Sequence, residues 1–377
     1  MKRITEFAPY RLSREPRYSR WFAGAVGLLA LLGIGSLLPR SLVAPHVVAF
    51  TVAGMLLGGL LGFLFHVLGY RFNRHNAQCY GEVVRRARQA WWLQHRQTAA
   101  LVESVLLSAS ISGPEQLDNL LDAAKQPPVA RATAEGLALG LLQVFGRDAN
   151  QREEELATLL ALKWGAQRGT GQRLAPLSCY WHGSQTAWRV FAEQMAQCCP
   201  DVRLPECPRP WDGMLSLDAI IDQLQGAPAD ARVLCAGCHS AAPARTSPLP
   251  AGEAAVLWLL GAEGDVVFTR GEWFTQADDD LVAVAQRAVE QGRLEAPAQI
   301  CMSFSQPDVP ELAGIGWSAK ANVQDANFGA LHQLEAMVVQ TLAAWYVQQH
   351  GVPCSWLASD PHFTLTLGIV RPHESGS

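Results

Sequence analysis

Two uncharged stretches near the start of the chain limit what the rest of it can be. Residues 21–38 contain no Asp, Glu, Lys or Arg, and neither do residues 47–68, where His66 is the one titratable side chain. At 1.5 Å of rise per residue, each is long enough as a helix to cross a hydrocarbon core of about 30 Å. A surface helix of a globular domain would show a polar face, and these show none. A cleaved signal is not expected, because the first run begins only at Trp21 and a second follows at once. The connection, Pro39-Arg40-Ser41-Leu42-Val43-Ala44-Pro45-His46, is short and bounded by prolines, so a helical hairpin is predicted. Gly24, Gly27, Gly33 and Gly35 on the first helix and Gly54, Gly58 and Gly59 on the second would let the two approach closely. The alternative is that glycine is simply common in membrane helices.

Basic residues set the orientation. Lys2, Arg3, Arg11, Arg14, Arg17 and Arg20 precede the first run, and Arg71, Arg74, Arg85, Arg86, Arg88 and Arg96 follow the second, whereas the connection offers Arg40 alone. Both ends of the hairpin are therefore expected on the cytoplasmic side, with the following domain held in the cytosol at a bacterial inner membrane. The expected organisation is a basic N-terminus over residues 1–20, a two-helix transmembrane hairpin over 21–70, a juxtamembrane helix over 71–98 and a soluble domain over 99–377.

The chain carries 30 basic and 34 acidic residues, but residues 1–96 hold 13 Lys and Arg against three acids. The remainder is strongly acidic, which argues against nucleic acid as a partner. The basic collar suits anionic lipid head groups, so membrane lipids are an expected partner. Nine cysteines, an odd number, in a chain with ample apolar material for a core fit a reducing compartment and buried thiols.

Beyond the hairpin, short apolar runs alternate with helical patterns. Strands are predicted at residues 101–108, 177–181, 232–236, 254–260, 266–269, 299–304, 354–357 and 363–370. Helices are predicted from Pro114, over 150–163, 186–197 and 214–224, over 278–291 with Asp278-Asp279-Asp280 as an acidic first turn, and over 329–349. The strand at 266–269 is expected to form a hairpin with the preceding one across Gly261-Ala262-Glu263-Gly264, and residues 135–145 read as either helix or strand. This alternation implies a layered α/β domain.

The order of elements from Trp211 to Gly261 resembles the middle of a ketosynthase, a member of the thiolase-like fold. In that family a nucleophilic cysteine starts a helix, followed by a strand with a glycine-rich turn and a Pro-Gly-Glu-Ala turn into the next strand. Here the helix start holds Gly213 and Met214; Cys235-Ala236-Gly237-Cys238-His239-Ser240 stands at the first turn, and Pro250-Ala251-Gly252-Glu253-Ala254-Ala255 at the second. Gly329-Ala330-Leu331-His332 is similar to the Gly-Ala-Ala-Gly start of the family's last helix. The match is clearest over 211–370 and weaker over 100–210. It implies a thiolase-like α/β/α/β/α domain, an internal twofold repeat and a homodimer. The family's two histidines would fall near Ala326 and in Ser305-Gln306-Pro307-Asp308, where this chain has neither. Nucleophile and activating groups are thus both missing from their places.

Other residues carry rival chemistry. Cys235-Ala-Gly-Cys238-His239 is a complete C-x-x-C-H, the c-type haem attachment pattern, with Met302 or Met337 as a distal ligand, although haem attachment belongs outside the cytosol. A redox dithiol at Cys235 and Cys238 is a further alternative. Cys198, Cys199 and Cys207 with His182 or Cys179 match no common zinc spacing, and a metal role for Asp278-Asp279-Asp280 would need carboxylates from elsewhere. No cofactor or metal is expected. Two functions follow. The first is a non-catalytic, membrane-anchored scaffold or adaptor that holds a protein partner, of the kind associated with bacterial type VI secretion. The second is an acyl-handling enzyme or acyl binder with displaced residues, for which Cys238, His239 and His332 are the catalytic candidates.

Overall fold

The computed structural model describes residues 7–35, 45–133, 135–168, 173–305 and 310–373. It divides into two units, Lys2–Trp92 and Leu93–Ser377. The predicted hairpin connection over residues 39–44 lies outside the described residues, as does Gln306-Pro307-Asp308.

The first unit is built on α1 (Tyr18–Gly35) and α2 (Pro45–His95), whose last residues belong to the second unit. By length and composition one helix of the described residues, Phe50–His95, is long and apolar enough to cross a membrane, with a mean hydropathy of 2.0 in an 18-residue window. The predicted juxtamembrane helix is the continuation of α2, since residues 69–95 contain no Pro and only isolated turn-favouring residues, Gly69, Asn73, Asn76 and Gly81, too little to stop a helix already nucleated. Within this unit the two helices are antiparallel. Trp21 and Phe63 meet edge to face at 5.6 Å, and Tyr18 packs on the same Phe63 at 5.9 Å. The preceding segment continues along α2: Ser13 N–H donates to Asn73 at 2.8 Å, and the Tyr80 hydroxyl donates to the Ala8 carbonyl at 2.7 Å. The glycines do not make the predicted close helix contact. A Cβ added at Gly24, Gly27, Gly33, Gly54, Gly58 or Gly59 would find nothing within 4 Å. Bulky aromatic rings set the spacing instead.

The second unit begins with β1 (Thr98–Ser108), a 3-10 turn at Pro114–Gln116, α3 (Leu117–Leu121), β2 (Arg131–Ala132) and β3 (Leu137–Leu139). Then come α4 (Ala149–Gln167), β4 (Ser178–His182), α5 (Gln185–Cys198), β5 (Arg209–Pro210), α6 (Gly213–Leu224), β6 (Arg232–Ser240) and β7 (Ala251–Gly261). The chain closes with β8 (Val266–Thr269), β9 (Glu272–Phe274), α7 (Leu281–Gln291), β10 (Cys301–Ser303), α8 (Pro310–Gly314), β11 (Asn322–Val323), α9 (Asp325–Phe328), α10 (Glu335–His350), β12 (Cys354–Ala358) and β13 (Leu365–Pro372).

The strands hydrogen-bond in the order β11-β10-β12-β13-β8-β1-β7-β6-β4-β5. Read outward from its centre, this order is the same on both sides. β7 is antiparallel to both β1 and β6, and β13 is antiparallel to both β8 and β12. β4 runs parallel to β5 and β6, as β10 does to β11 and β12. The internal twofold repeat implied by the resemblance is therefore present in the topology, with α6 and α10 at matching places. β8 does not form the predicted hairpin with β7; it pairs with β1 and β13. β1 lies between them because a close backbone crossing at Gly264, where a Cβ would fall 2.7 Å from the Leu101 carbonyl, carries the chain over its start.

Burial follows this plan. α10 is apolar all round, with Met337, Val338, Val339, Leu342, Ala343 and Trp345 all buried, as a helix enclosed within the core must be. It shares one core with α6 and with the inward residues of β6, β7 and β12, and each fully buried Val, Leu or Met there contributes about 1.5–3 kcal/mol. Trp258 Nε1 donates to Thr341 at 2.7 Å and Trp345 Nε1 to Ser104 at 2.8 Å, so the large rings of this layer have polar partners. α4 and α5 cover the outer face of one half of the sheet, and α7 and α8 that of the other. α7 is amphipathic, burying Leu281, Val284, Ala285, Ala288 and Val289. Every residue of β7 is buried, because both of its faces are covered. The result is the α/β/α/β/α layering expected from the resemblance.

Candidate functional site

The first turn of α6 is the place to examine, since the resemblance puts a nucleophile there. Trp211 is buried against Trp258, edge to face at 5.6 Å, and fixes the approach to the helix. The backbone then turns through Gly213 at a φ of 57°, a conformation that costs a side-chain-bearing residue about 1–2 kcal/mol. Asp212 precedes the helix but does not cap it; its own N–H donates to Ser216 Oγ at 2.8 Å. The cap comes from the other half of the domain. Asp360, in the loop between β12 and β13, accepts a hydrogen bond from the Met214 N–H at 3.0 Å. A carboxylate at a helix N-terminus is favoured both by the free N–H groups and by the helix dipole.

The same loop is fastened at three further points. The other oxygen of Asp360 accepts from the His362 N–H at 3.0 Å. The His362 ring bonds to the Asp212 carboxylate, which pushes its pKa above the usual histidine value. Ser359 Oγ donates at 2.6 Å to Glu335 in the first turn of α10, a carboxyl whose pKa burial raises. One loop thus closes the N-termini of both central helices. A Cβ at Gly213 would collide with Oδ2 of Asp360, so no cysteine fits there while the loop is in place.

The places where the family carries histidines are occupied by a different bond. Ser305 N–H donates at 2.7 Å to the buried Asp325 carboxylate at the start of α9. The two glycine signatures face one another. Ala330 N–H donates to the Pro250 carbonyl at 2.9 Å and Gly252 N–H to the Ala330 carbonyl at 3.2 Å. A Cβ on Gly252 would strike the Phe328 carbonyl, and one on Gly329 would lie 2.6 Å from the Pro250 carbonyl. Glycine is needed at both positions for this backbone approach. Glu253, which follows, is buried and accepts from Nε and Nη2 along one edge of the Arg152 guanidinium, from Ser240 Oγ at 2.9 Å and from the Leu141 N–H at 3.0 Å. Its role is to tie α4 and the preceding loop to β7.

The predicted catalytic candidates do not assemble as a unit. β6 runs on through Cys235, Gly237, Cys238 and His239 to Ser240 instead of ending at Ala236, because its two neighbours continue to supply partners: His182 pairs with Gly237 and Ala254 with His239. Alternation along the strand puts Cys235 in the central core and Cys238 in the core under α4 and α5. Both thiols are buried, and burial pushes both pKa values well up. Two thiols on opposite faces of a strand can neither bridge each other nor both reach one haem, which removes the geometry that the haem and dithiol readings need. His239 does meet His332, with ring centroids 5.6 Å apart. Its pKa is pushed down to about 4, first by burial and then by the nearby His182 and His332. His332 does not lie on the long helix. It sits at a φ of 51° in a 3-10 turn before α10, the chain having first to pass the Gly329 crossing. Cys238 points away from this pair.

Cys198 and Cys199 pack against Gly165, where a Cβ would be 3.1 Å from each sulfur, while Cys207 is exposed. Asp280 caps α7 through the Val282 N–H at 3.0 Å, and Asp279 accepts from the Thr275 N–H at 2.9 Å, so the acidic triple precedes the helix rather than forming its first turn. Among the described residues no group of three or more His, Cys, Asp or Glu is placed to hold a metal ion. The loop around Asp360 was not singled out by its sequence. Its only signal was an Asp-Pro-His run between two strands, which reads as an ordinary turn.

No protein-family model matches this chain, and no curated protein matches it. Solved structures do. "The ishigamide ketosynthase/chain length factor" aligns with a TM-score of 0.52 at 15% identity, over 73% of this chain and 99% of that one. A ketosynthase from module 1 of the bacillaene synthase of Bacillus amyloliquefaciens FZB42 aligns at 0.48 and 10% identity, over 75% and 77%. An HMG-CoA synthase complexed with CoA aligns at 0.40 and 8% identity, over 73% and 82%. The second unit has the ketosynthase-like, thiolase-type fold.

Proposed function

We propose that this chain is a non-catalytic, membrane-anchored scaffold or adaptor built on the ketosynthase-like fold. The observation that carries the reading is the closed start of α6: Gly213 stands where a nucleophile would, and Asp360 and Pro361 fill the space in front of it. Backbone N–H groups at a helix start are the natural oxyanion donors of such a fold, and here the Met214 N–H is engaged by the chain's own carboxylate. Chemistry on an acyl group needs that donor free and a nucleophile beside it. Cys238, the thiol nearest in sequence to the family's turn, is buried on the opposite face of β6 from His239.

The uncharged helices and the basic residues at their cytoplasmic ends hold the domain against the inner face of the membrane. The domain's role there is to bind a protein and keep it at that surface, with a component of a secretion machinery such as type VI as the expected partner. The test is purification of the full-length protein from its own cells in mild detergent, with co-purifying proteins identified by mass spectrometry. One stoichiometric protein partner, retained when Cys238 is replaced by Ala, is the expected result. Recovery of acyl carrier protein or bound acyl chains, with no such partner, would overturn it.

A further inference from the structure

The first unit contains a groove of about 880 Å³ between α1 and α2, within the size range of small-molecule sites. Its walls are apolar: Trp21, Phe22, Leu28, Met55, Leu60 and Phe63 contribute to it. Several of these side chains are largely exposed, Phe22 at 74% and Leu60 at 63%. Aromatic rings hold the helices apart at one edge, with Trp21 on Phe63 and on His66 at 6.2 Å. Gly24 and Gly59 keep the middle open, since a Cβ at either would touch nothing within 4 Å.

The groove has a depth and a polarity. On α1 it runs from Tyr18 to Leu28, about 15 Å at 1.5 Å per residue, which is half of a hydrocarbon core of about 30 Å. That is the depth of one leaflet. Its mouth is marked by Arg20 and Tyr18, and no carboxylate among the described residues pairs with Arg20. Arg14 and Arg17 precede it, and Arg71 and Arg74 follow on the matching end of α2. Glu15, the nearby acid, accepts from the Tyr70 hydroxyl at 3.1 Å. An apolar slot one leaflet deep with an unneutralised guanidinium at its rim matches a single kind of occupant.

We infer that this groove binds an anionic glycerophospholipid of the inner leaflet, an acyl chain lying along Gly24 and Gly59 and the phosphate on the fork of Arg20. The inference rests on reading both helices as membrane spans. A lipid held there would help fix the two helices as one unit.

The test uses full-length protein, stripped of lipid in detergent and titrated with phosphatidylglycerol or with phosphatidylcholine, bound lipid being counted by native mass spectrometry. Wild type should retain one phosphatidylglycerol per chain and bind phosphatidylcholine at least about five-fold more weakly. Arg20→Gln should bring the two lipids to equal, weak binding. Gly59→Leu, which fills open space without a clash, should abolish retention of both while leaving the thermal midpoint of the lipid-stripped protein unchanged. Phosphatidylglycerol retention unaffected by Gly59→Leu would overturn the inference. So would a cross-link from position 59 to a helix of another membrane protein. Alkaline carbonate separates the two failures: release of the protein from membranes refutes the spans and the groove together, whereas retention with unchanged lipid binding refutes the groove alone.

Discussion

Removing the carboxylate of Asp360 is the sharpest perturbation of the closed helix start. In Asp360→Ala the Met214 N–H loses its acceptor and the His362 N–H loses another. Loss of a helix N-cap costs about 1–2 kcal/mol, and the second, exposed bond adds about 0.5 kcal/mol at most. The expected loss is therefore ~2 kcal/mol. At about 2–3 °C per kcal/mol for a domain of this size, the thermal midpoint should fall by about 4–6 °C. The assay is tryptophan fluorescence of the full-length protein in detergent, with Asp230→Ala, an exposed loop position, as the control expected to stay within about 0.5 kcal/mol. Asp360→Asn keeps an acceptor oxygen and should lose about half as much. If Asp360→Ala unfolds at the same temperature as Asp230→Ala, the loop does not cap α6 and the reasoning fails.

Gly213→Cys, which would restore a thiol to the start of α6, should destabilise by at least the ~1–2 kcal/mol of its positive φ and displace the loop; combined with Asp360→Ala its cost should be less than the sum, since both act on one contact, and strict additivity would refute the shared site. His362 has its folded pKa raised by Asp212, so the contribution of that pair is full at pH values below the ordinary histidine value and is lost as pH rises through the raised one; an NMR titration should show a midpoint that drops in Asp212→Asn. Glu272 is pushed up to about 7 by burial, against the opposing pull of Arg287. The folded state therefore holds this proton where the unfolded chain has lost it, and stability should decline between about pH 4.5 and 7 in wild type but less in Glu272→Gln. Alkylation of native protein should modify Cys79 and Cys207 first, and Cys235 and Cys238 only on unfolding; early labelling of the latter pair would revive a redox role.

How far the sequence discloses this molecule depends on the range of the interactions involved. Locally coded features are legible. The apolar runs, the helix expected from Thr186, which starts at Gln185, and most strand positions follow from periodicity within a few residues, while the helix expected from Asp278 starts three residues later, at Leu281. Features fixed by distant partners are not. β6 looks as if it stops at Ala236, because Gly237, His239 and Ser240 read as a turn; only the neighbouring strands keep it extended. α10 looks as if it begins at Gly329, but the crossing against Pro250 and Gly252 delays it to Glu335. The hairpin predicted for β7 and β8 fails for the same reason, since the competing partner, β1, lies some 160 residues earlier. The site follows this rule most clearly. Gly213 and Met214 mark the place where a nucleophile is missing, whereas the group that occupies it, Asp360, lies 146 residues away from the N–H it caps. The absent residue could be read from the motif, and the plug could not.

The central claim is that the start of α6 does no acyl chemistry. It is tested most directly by exposing full-length protein in mild detergent, with exposed Cys79 and Cys207 replaced by Ser, to short- and medium-chain acyl pantetheine thioesters and recording its intact mass. The account predicts an unchanged mass at every time point. A stoichiometric acyl adduct that maps to the first turn of α6 or to Cys238, and that disappears in Cys238→Ala or on blocking that turn, would contradict it.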